Sequence, residues 1–248
     1  MVDVKSKVSQ EEWQARQDLA AFYRTVPYFK WDDLIFTHIS AKVPGTEDEF
    51  LINPYGFLFD EITASNLVKV DLKGKILSDT NNFINPAGFT IHSAIHEARE
   101  DAHCIVHLHS NDGVAVASLK DGLLPLSQTG MLVRSQISYH DYEGVALFDE
   151  EKERLVKDLG QEKLMILRNH GTLAIGKNVA EAFTNIYFLE KACSYQVRAM
   201  SGNLELNYPS DEAIETTKQQ GQGREMAAAL LWPAVKRKME SLDPSFMN

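Results

Sequence analysis

Apolar positions recur along this chain at two spacings, and the switches between them outline its elements. Residues 9–25 carry the helical spacing, with Trp13, Leu19, Ala20 and Tyr23 on one face and Ser9-Gln10-Glu11-Glu12 as a capping box at the start. Residues 34–40 and 49–53 read as strands around the turn Pro44-Gly45, followed by a turn at Asn53-Pro54-Tyr55-Gly56. Residues 68–72 alternate as a strand closed by Lys73-Gly74, and Asn85-Pro86 opens a helix to about residue 101. A strand through His107, a short helix over 114–120, strands within 131–139 and a helix over 149–159 come next. Strands at 164–167 and 172–176 lead into a long helix, 179–200, ended by Gly202.

These elements predict an α/β fold with a largely antiparallel or mixed sheet flanked by helices. A doubly wound dinucleotide fold is not expected, because no Gly-x-Gly-x-x-Gly follows a strand. Residues 1–202 read as one domain. Residues 203–248 are polar and helical, interrupted by Gly221, Gly223 and Pro233, and read as an arm that packs on the domain or on a neighbouring subunit.

Composition narrows the function. The 248 residues are 44% hydrophobic and 24% charged, enough for an ample core. A formal net charge of −10 with no basic cluster argues against nucleic acid or an anionic membrane as partner. Cys104 and Cys193 sit in apolar stretches, as buried free thiols of a reducing compartment would. The first residues have no apolar signal core and no stretch is long enough to span a bilayer, so a cytoplasmic location is expected.

The chemistry concentrates in two motifs. In Ile105-Val106-His107-Leu108-His109 a strand sends both imidazoles to one face. In Arg168-Asn169-His170-Gly171 a third histidine stands at a glycine turn after an apolar strand. Three imidazoles from two strands suit a divalent ion with one position left open for water or substrate. The plain alternative is an edge-strand pair and an unrelated turn residue.

The order of motifs resembles the class II aldolase/adducin family over roughly residues 10–202, and its adducin-like branch more than the sugar-phosphate aldolases. The matching stretches are Leu34-Ile35-Phe36-Thr37-His38-Ile39-Ser40, Phe50-Leu51-Ile52-Asn53-Pro54-Tyr55-Gly56 and Ile62-Thr63-Ala64-Ser65-Asn66-Leu67-Val68-Lys69-Val70, with Gly88-Phe89-Thr90-Ile91-His92 and the two histidine motifs. The resemblance implies that His107, His109 and His170 hold zinc, or else manganese, cobalt or iron. That ion would polarise a carbonyl and stabilise an enolate as a carbon–carbon bond breaks. It also implies a three-layer α/β/α fold and, commonly, a homotetramer with active sites between neighbouring subunits.

Several positions depart from the aldolase pattern. The glutamate that aldolases carry before the His-x-His motif falls here on Gly88, which can neither move a proton nor bind metal. His92, one helical turn on, is the candidate replacement as fourth ligand or general acid/base, against a core or capping role. His96 is expected to be structural or on the surface, and His103 to lie in a polar turn. The family's phosphate-binding asparagine corresponds to His38, and its small hydroxyl pair to Pro86-Ala87. A carboxylate therefore suits the site better than a sugar phosphate, with His38, the turn glycine Gly56 and Arg168 as substrate-binding candidates. Gln128 falls where aldolases bring a tyrosine from the neighbouring subunit, and Tyr139-His140-Asp141-Tyr142 is a cluster with acid/base capacity. The expected function is a metal-dependent lyase for a small hydroxy- or oxo-carboxylate, with the missing glutamate tilting it toward decarboxylation. The alternatives are a non-catalytic adducin-like binding module and a three-histidine Fe(II) oxygenase.

Overall fold

The computed structural model describes residues 4–144, 149–202, 204–221 and 225–248. Its first long element is α1 (Gln10–Phe29), capped by Ser9, whose Oγ accepts from the Glu12 N–H at 3.0 Å. The helix runs past residue 25 and carries Pro27 inside its last turn. Lys30 then closes it in the left-handed region, φ 61°, donating its N–H to Pro27 O and Val26 O.

Seven described strands form one sheet: β1 (His38–Lys42), β2 (Glu49–Ile52), β3 (Val68–Asp71), β4 (Cys104–Leu108), β5 (Ile137–His140), β6 (Leu164–Leu167) and β7 (Gly171–Gly176). Their spatial order is β3-β2-β1-β4-β7-β6-β5. Neighbours are antiparallel except β5 and β6, which are parallel. The other described helices are α2 (Pro86–Ala98), α3 (Asn111–Ala117), α4 (Gln128–Arg134), α5 (Asp149–Leu159), α6 (Val179–Met200), α7 (Asp211–Gln220) and α8 (Glu225–Leu242).

Strand alternation sorts the side chains into two cores. Ile39, Val106, Leu108, Ile166 and Ala174 join residues of α1, α3, α6 and α8 on one face. Ile105, Met165, Leu167, Leu173 and Ile175 meet Ile91 and Ile95 of α2 and Leu155 and Leu159 of α5 on the other. Each such fully buried aliphatic side chain is worth roughly 1.5–3 kcal/mol. The result is the three-layer α/β/α arrangement, and His107, two residues from Ile105, lies on the α2/α5 side.

Three expected boundaries differ. The strand expected over 34–40 begins only at His38, because Leu34 and Thr37 take φ of 50° and 70° and Asp33 pairs with Phe36 in a tight turn. Residues 128–134 are helical rather than extended: Ser127 caps α4, its Oγ accepting from the Gly130 N–H at 3.0 Å. Pro233 rides inside α8 rather than ending it, Gly221 closes α7, and Gly223 lies outside the described residues.

The residues after 203 contribute to the main core. Trp232 of α8 packs edge-on to Phe22 at 6.0 Å and on Phe183 at 5.4 Å, and Met239 and Phe246 are buried with them. The segment after α8 is also tied down by backbone bonds, from Ala64 N–H to Phe246 O at 2.8 Å and from Ser65 N–H to Asn248 O at 2.9 Å.

Candidate metal centre

β4 delivers His107 from its own length and His109 just past its end, two residues apart and on one face. His170 arrives from the turn between β6 and β7. There Asn169 sits at φ 56°, its N–H bonded to Ala117 O, while the His170 N–H closes on Leu167 O. Glycine must follow, because a Cβ at Gly171 would stand 2.2 Å from Leu108 O. The three rings meet with centroids 4.7–4.8 Å apart, and one ligand atom from each lies within 4.8 Å of the others.

The hydrogen bonds fix which nitrogens face inward. Thr172 O can only accept, so His107 Nδ1 carries a proton and donates to it at 3.0 Å. His109 Nδ1 donates to the Asp33 carboxylate at 3.0 Å. In neutral rings both Nε2 atoms are then bare lone pairs, and they face each other at 3.1 Å. Two acceptors at that distance repel. An ion holding two imidazoles tetrahedrally at about 2.0–2.1 Å sets their nitrogens about 3.3 Å apart. The donor set therefore fits a divalent cation such as zinc, with the ring orientation supplied from behind each ligand.

Electrostatics favour the same state. Burial, then His170 and His109, hold the His107 imidazole well below its ordinary value, against the hydrogen bond to Thr172. His170 is pushed down to about 4, chiefly by burial and then by His109 and His140. Neutral imidazoles are what a cation requires. Deeper still, Glu190 of α6 accepts from the Ser110 and Thr172 hydroxyls and is pushed up to about 7 by burial. It braces the end of β4 and the start of β7.

A small, open cleft with room for about one water lies beside His170, lined among others by Ile91, His140, Asp141, Tyr142 and Arg168. Residues 140–142 of the 139–142 cluster thus lie beside the triad, with His140 Nδ1 donating to Asp158 at 2.7 Å and the Tyr142 ring 6.3 Å from His170. Tyr139 instead turns to the main core and accepts from the Leu123 N–H at 3.1 Å. Arg168 lines the cleft but is largely committed: Nη1 donates to Leu119 O and Lys120 O, and the guanidinium stacks over Tyr139 at 4.4 Å.

The other candidates are dispersed. Gly56 sits at φ 96° with open space around it, and Gln128 is exposed at the first position of α4. His92 is fully buried and does not join the three-nitrogen cluster, because Ser40 Oγ holds its Nδ1 at 2.6 Å. His96 is buried rather than on the surface, bonded to Ser40 Oγ and Ala102 O at 2.7 Å each. His103 is exposed. His38 stands between His92 and the triad, cross-strand from His107 and with its ring centroid 5.9 Å from that of His92. Asp33, Ser40, Thr172 and Glu190 belong to the site although no local motif singles them out.

A mixed sheet between two helical layers, with three histidines converging at a strand end in a set that fits a divalent cation, is an α/β/α fold with a candidate metal centre. Sequence comparison gives the family. Residues 17–197 match the class II aldolase and adducin N-terminal domain, and the chain belongs to that family. A protein of Caulobacter vibrioides named "Putative aldolase class 2 protein" is 56% identical over 249 residues, covering 100% of this chain and 97% of its own. Alpha-adducin of Rattus norvegicus is 48% identical over 189 residues, 75% of this chain and 26% of its own length. The crystal structure of an aldolase II superfamily protein from Pseudomonas syringae superposes with a TM-score of 0.95 at 47% identity, covering 99% of each chain. L-fuculose 1-phosphate aldolase from Glaciozyma antarctica superposes at 0.84 and 25% identity, covering 100% of this chain and 95% of its own.

Proposed function

We propose that the protein is a divalent-metal-dependent lyase that cleaves a carbon–carbon bond of a small hydroxy- or oxo-carboxylate, by retro-aldol cleavage or decarboxylation. The observation that carries this reading is the pair of bare Nε2 atoms of His107 and His109 facing each other at 3.1 Å, with His170 beside them. His107, His109 and His170 would hold the ion, zinc first, with manganese, cobalt and iron as alternatives. Bound there, the ion supplies Lewis acidity, withdrawing charge from a substrate oxygen as the bond breaks.

The chain's own residues do the rest. Thr172 O and Asp33 keep the ligand rings in the required tautomer. Arg168, at the rim beside His170, binds the carboxylate, with Gly56 as the further substrate-binding candidate. His92 acts through His38 rather than by touching substrate. Gln128, exposed at the start of α4, reaches a site only from a neighbouring copy, which goes with a homotetramer. No nucleic acid or membrane enters this reading. Among the described residues no helix is long and apolar enough to cross a membrane.

A second reading has a specific observation behind it: identity to alpha-adducin exceeds identity to the fuculose-phosphate aldolase. On that reading the domain is a binding module without catalysis. Metal analysis of untagged protein purified without chelator, beside His109→Ala, separates the two. Near one equivalent of zinc, manganese or cobalt per chain, lost in the variant, is the expected result and leads to carboxylate substrate screens. Iron would raise the oxygenase, which oxygen consumption with an aromatic oxo-acid would then separate from the lyase. A chain that retains no metal even after reconstitution would sink the lyase and leave the binding module.

A further inference from the structure

Gly88 and His38 form a single feature built from two elements. Gly88 is buried in the first turn of α2, and a Cβ on it would lie 2.3 Å from both Nδ1 and Cε1 of His38 and 2.5 Å from Nε2. The nitrogen-bearing edge of the imidazole is therefore laid against the glycine, in the volume any other side chain at 88 would fill. Glycine costs a helix about 1 kcal/mol relative to alanine. What it makes room for here is an imidazole.

That imidazole is placed for work at the triad. His38 pairs directly with His107 across β1 and β4, and opposed residues of an antiparallel pair project to the same face. It lies outside the three-nitrogen cluster, so it stands beside the ligands rather than among them. It is 5% exposed, and among the described residues neither of its nitrogens has a hydrogen-bond partner. Leaving a buried polar group unpaired costs about 1–3 kcal/mol, and native structures rarely do so. Two such nitrogens on one ring mark a place where at least one partner comes from outside the chain.

The residues behind His38 decide which of its nitrogens is left for that partner. Ala102 O only accepts, so His96 donates from Nδ1, and burial keeps the ring neutral, its imidazole pushed down to about 3. His96 Nε2 then accepts the single proton of the Ser40 hydroxyl at 2.7 Å. Ser40 Oγ is left to accept from His92 Nδ1–H at 2.6 Å. His92 Nε2 is thereby a buried lone pair with no partner, and His38 is its ring neighbour at 5.9 Å between centroids, 81° between planes. A neutral His38 has one N–H and one lone pair. Directing the N–H to His92 Nε2 turns the lone pair toward the triad.

We propose that His38, seated over Gly88 and oriented by the His92–Ser40–His96 chain, is a substrate-contacting residue that accepts a hydrogen bond from a hydroxyl of the ligand held at the triad. The inference rests on the metal-dependent reading above and narrows its substrate to a hydroxycarboxylate. It also explains how His92 can matter without reaching the site: His92 is a positioning residue for His38.

Two small chelators test it on cobalt-loaded protein. Glycolate and oxalate each bind a divalent ion through two oxygens, but only glycolate brings a hydroxyl proton. Their affinities are read from the visible cobalt spectrum in the parent chain, in His38→Phe, which keeps a ring and removes both nitrogens, and in Gly88→Ala, which keeps His38 but displaces it. Both variants are expected to retain one cobalt and to bind glycolate on the order of tenfold more weakly, the equivalent of one lost hydrogen bond. Oxalate binding should stay within about twofold. If both probes are unchanged, or weakened equally, in variants that keep cobalt and the parent melting temperature, the role of His38 is wrong. If His38→Phe does not fold, Gly88→Ala decides alone. A parent chain that binds no cobalt overturns the metal reading itself, before any variant is compared.

Discussion

A carboxylate 76 positions away in sequence decides which nitrogen of His109 faces the triad. Asp33 makes the Nδ1–H the donor, and an amide in its place can also turn its NH2 toward the ring and reverse the tautomer. Asp33→Asn should therefore weaken metal binding about 10- to 100-fold, the usual range for such supporting partners. Because the Asp33 side chain is 44% exposed, its melting temperature should barely move. Competition against a chromophoric chelator measures this, and parent-like affinity would show that Asp33 does not set the tautomer. Gly171→Ala is the opposite kind of change. Its Cβ meets backbone, Leu108 O at 2.2 Å, so the end of β4 must shift, at a cost of about 1–3 kcal/mol in chemical denaturation. The three histidines are legible in the sequence because a two-residue spacing in a strand states its own geometry. Asp33 is not, because its reach to His109 depends on a turn with two residues at positive φ that no local pattern announces. His92 and His38 are legible as candidates but not in order of distance from the ions' site, since only the register of β1 on β4 places His38 nearer.

Between elements, the interface of α2 with β1 couples fold stability to pH. His96 and His92 are buried there on either side of Ser40, and His96 is pushed down to about 3, mainly by burial. Unfolded, the same imidazole titrates near its ordinary value of about 6.5. Between those values the unfolded chain binds the extra proton, so folding stability rises with pH. The contribution is complete above about 6.5 and is lost as pH falls through the window toward 3. Urea midpoints at pH 7.5 and pH 5 should thus fall less in His96→Gln than in the parent chain. An equal fall in both would show that His96 does not carry the acid sensitivity. Elements with strong local signals matched expectation: α5 and α6 follow their periodicity, and Asn178 caps α6. The 131–134 stretch did not, because Met131, Leu132 and Val133 suit either period and the Ser127 cap decided for helix. Pro27 and Pro233 lie inside helices whose outer residues pack on the core, so packing overrode the local breaker.

At the scale of the whole molecule, the two C-terminal helices do different things. No residue of α7 is buried, and the helix rests on α4. α8 instead lays Trp232 on Phe22 and Phe183, and Ala228 and Met239 are buried with it. Met226 and Leu230 point the other way, 76% and 73% exposed. A chain truncated before Ser210 loses the cover over the α1/α6 aromatic cluster and the backbone bonds to Ala64 and Ser65. Removing a buried Trp and Phe each costs about 3–5 kcal/mol, and ordinary domains have only about 5–15 kcal/mol to lose. That truncation should therefore abolish the cooperative thermal transition rather than merely reduce activity or assembly. Met226→Ser with Leu230→Ser removes only exposed apolar surface, so the melting temperature should hold. If this face meets another copy of the chain, sedimentation velocity will show a smaller species in the double variant at unchanged metal content. An unchanged oligomer would place the subunit contact elsewhere, and a truncated chain that still melts cooperatively would show that α8 is an accessory arm rather than part of the core.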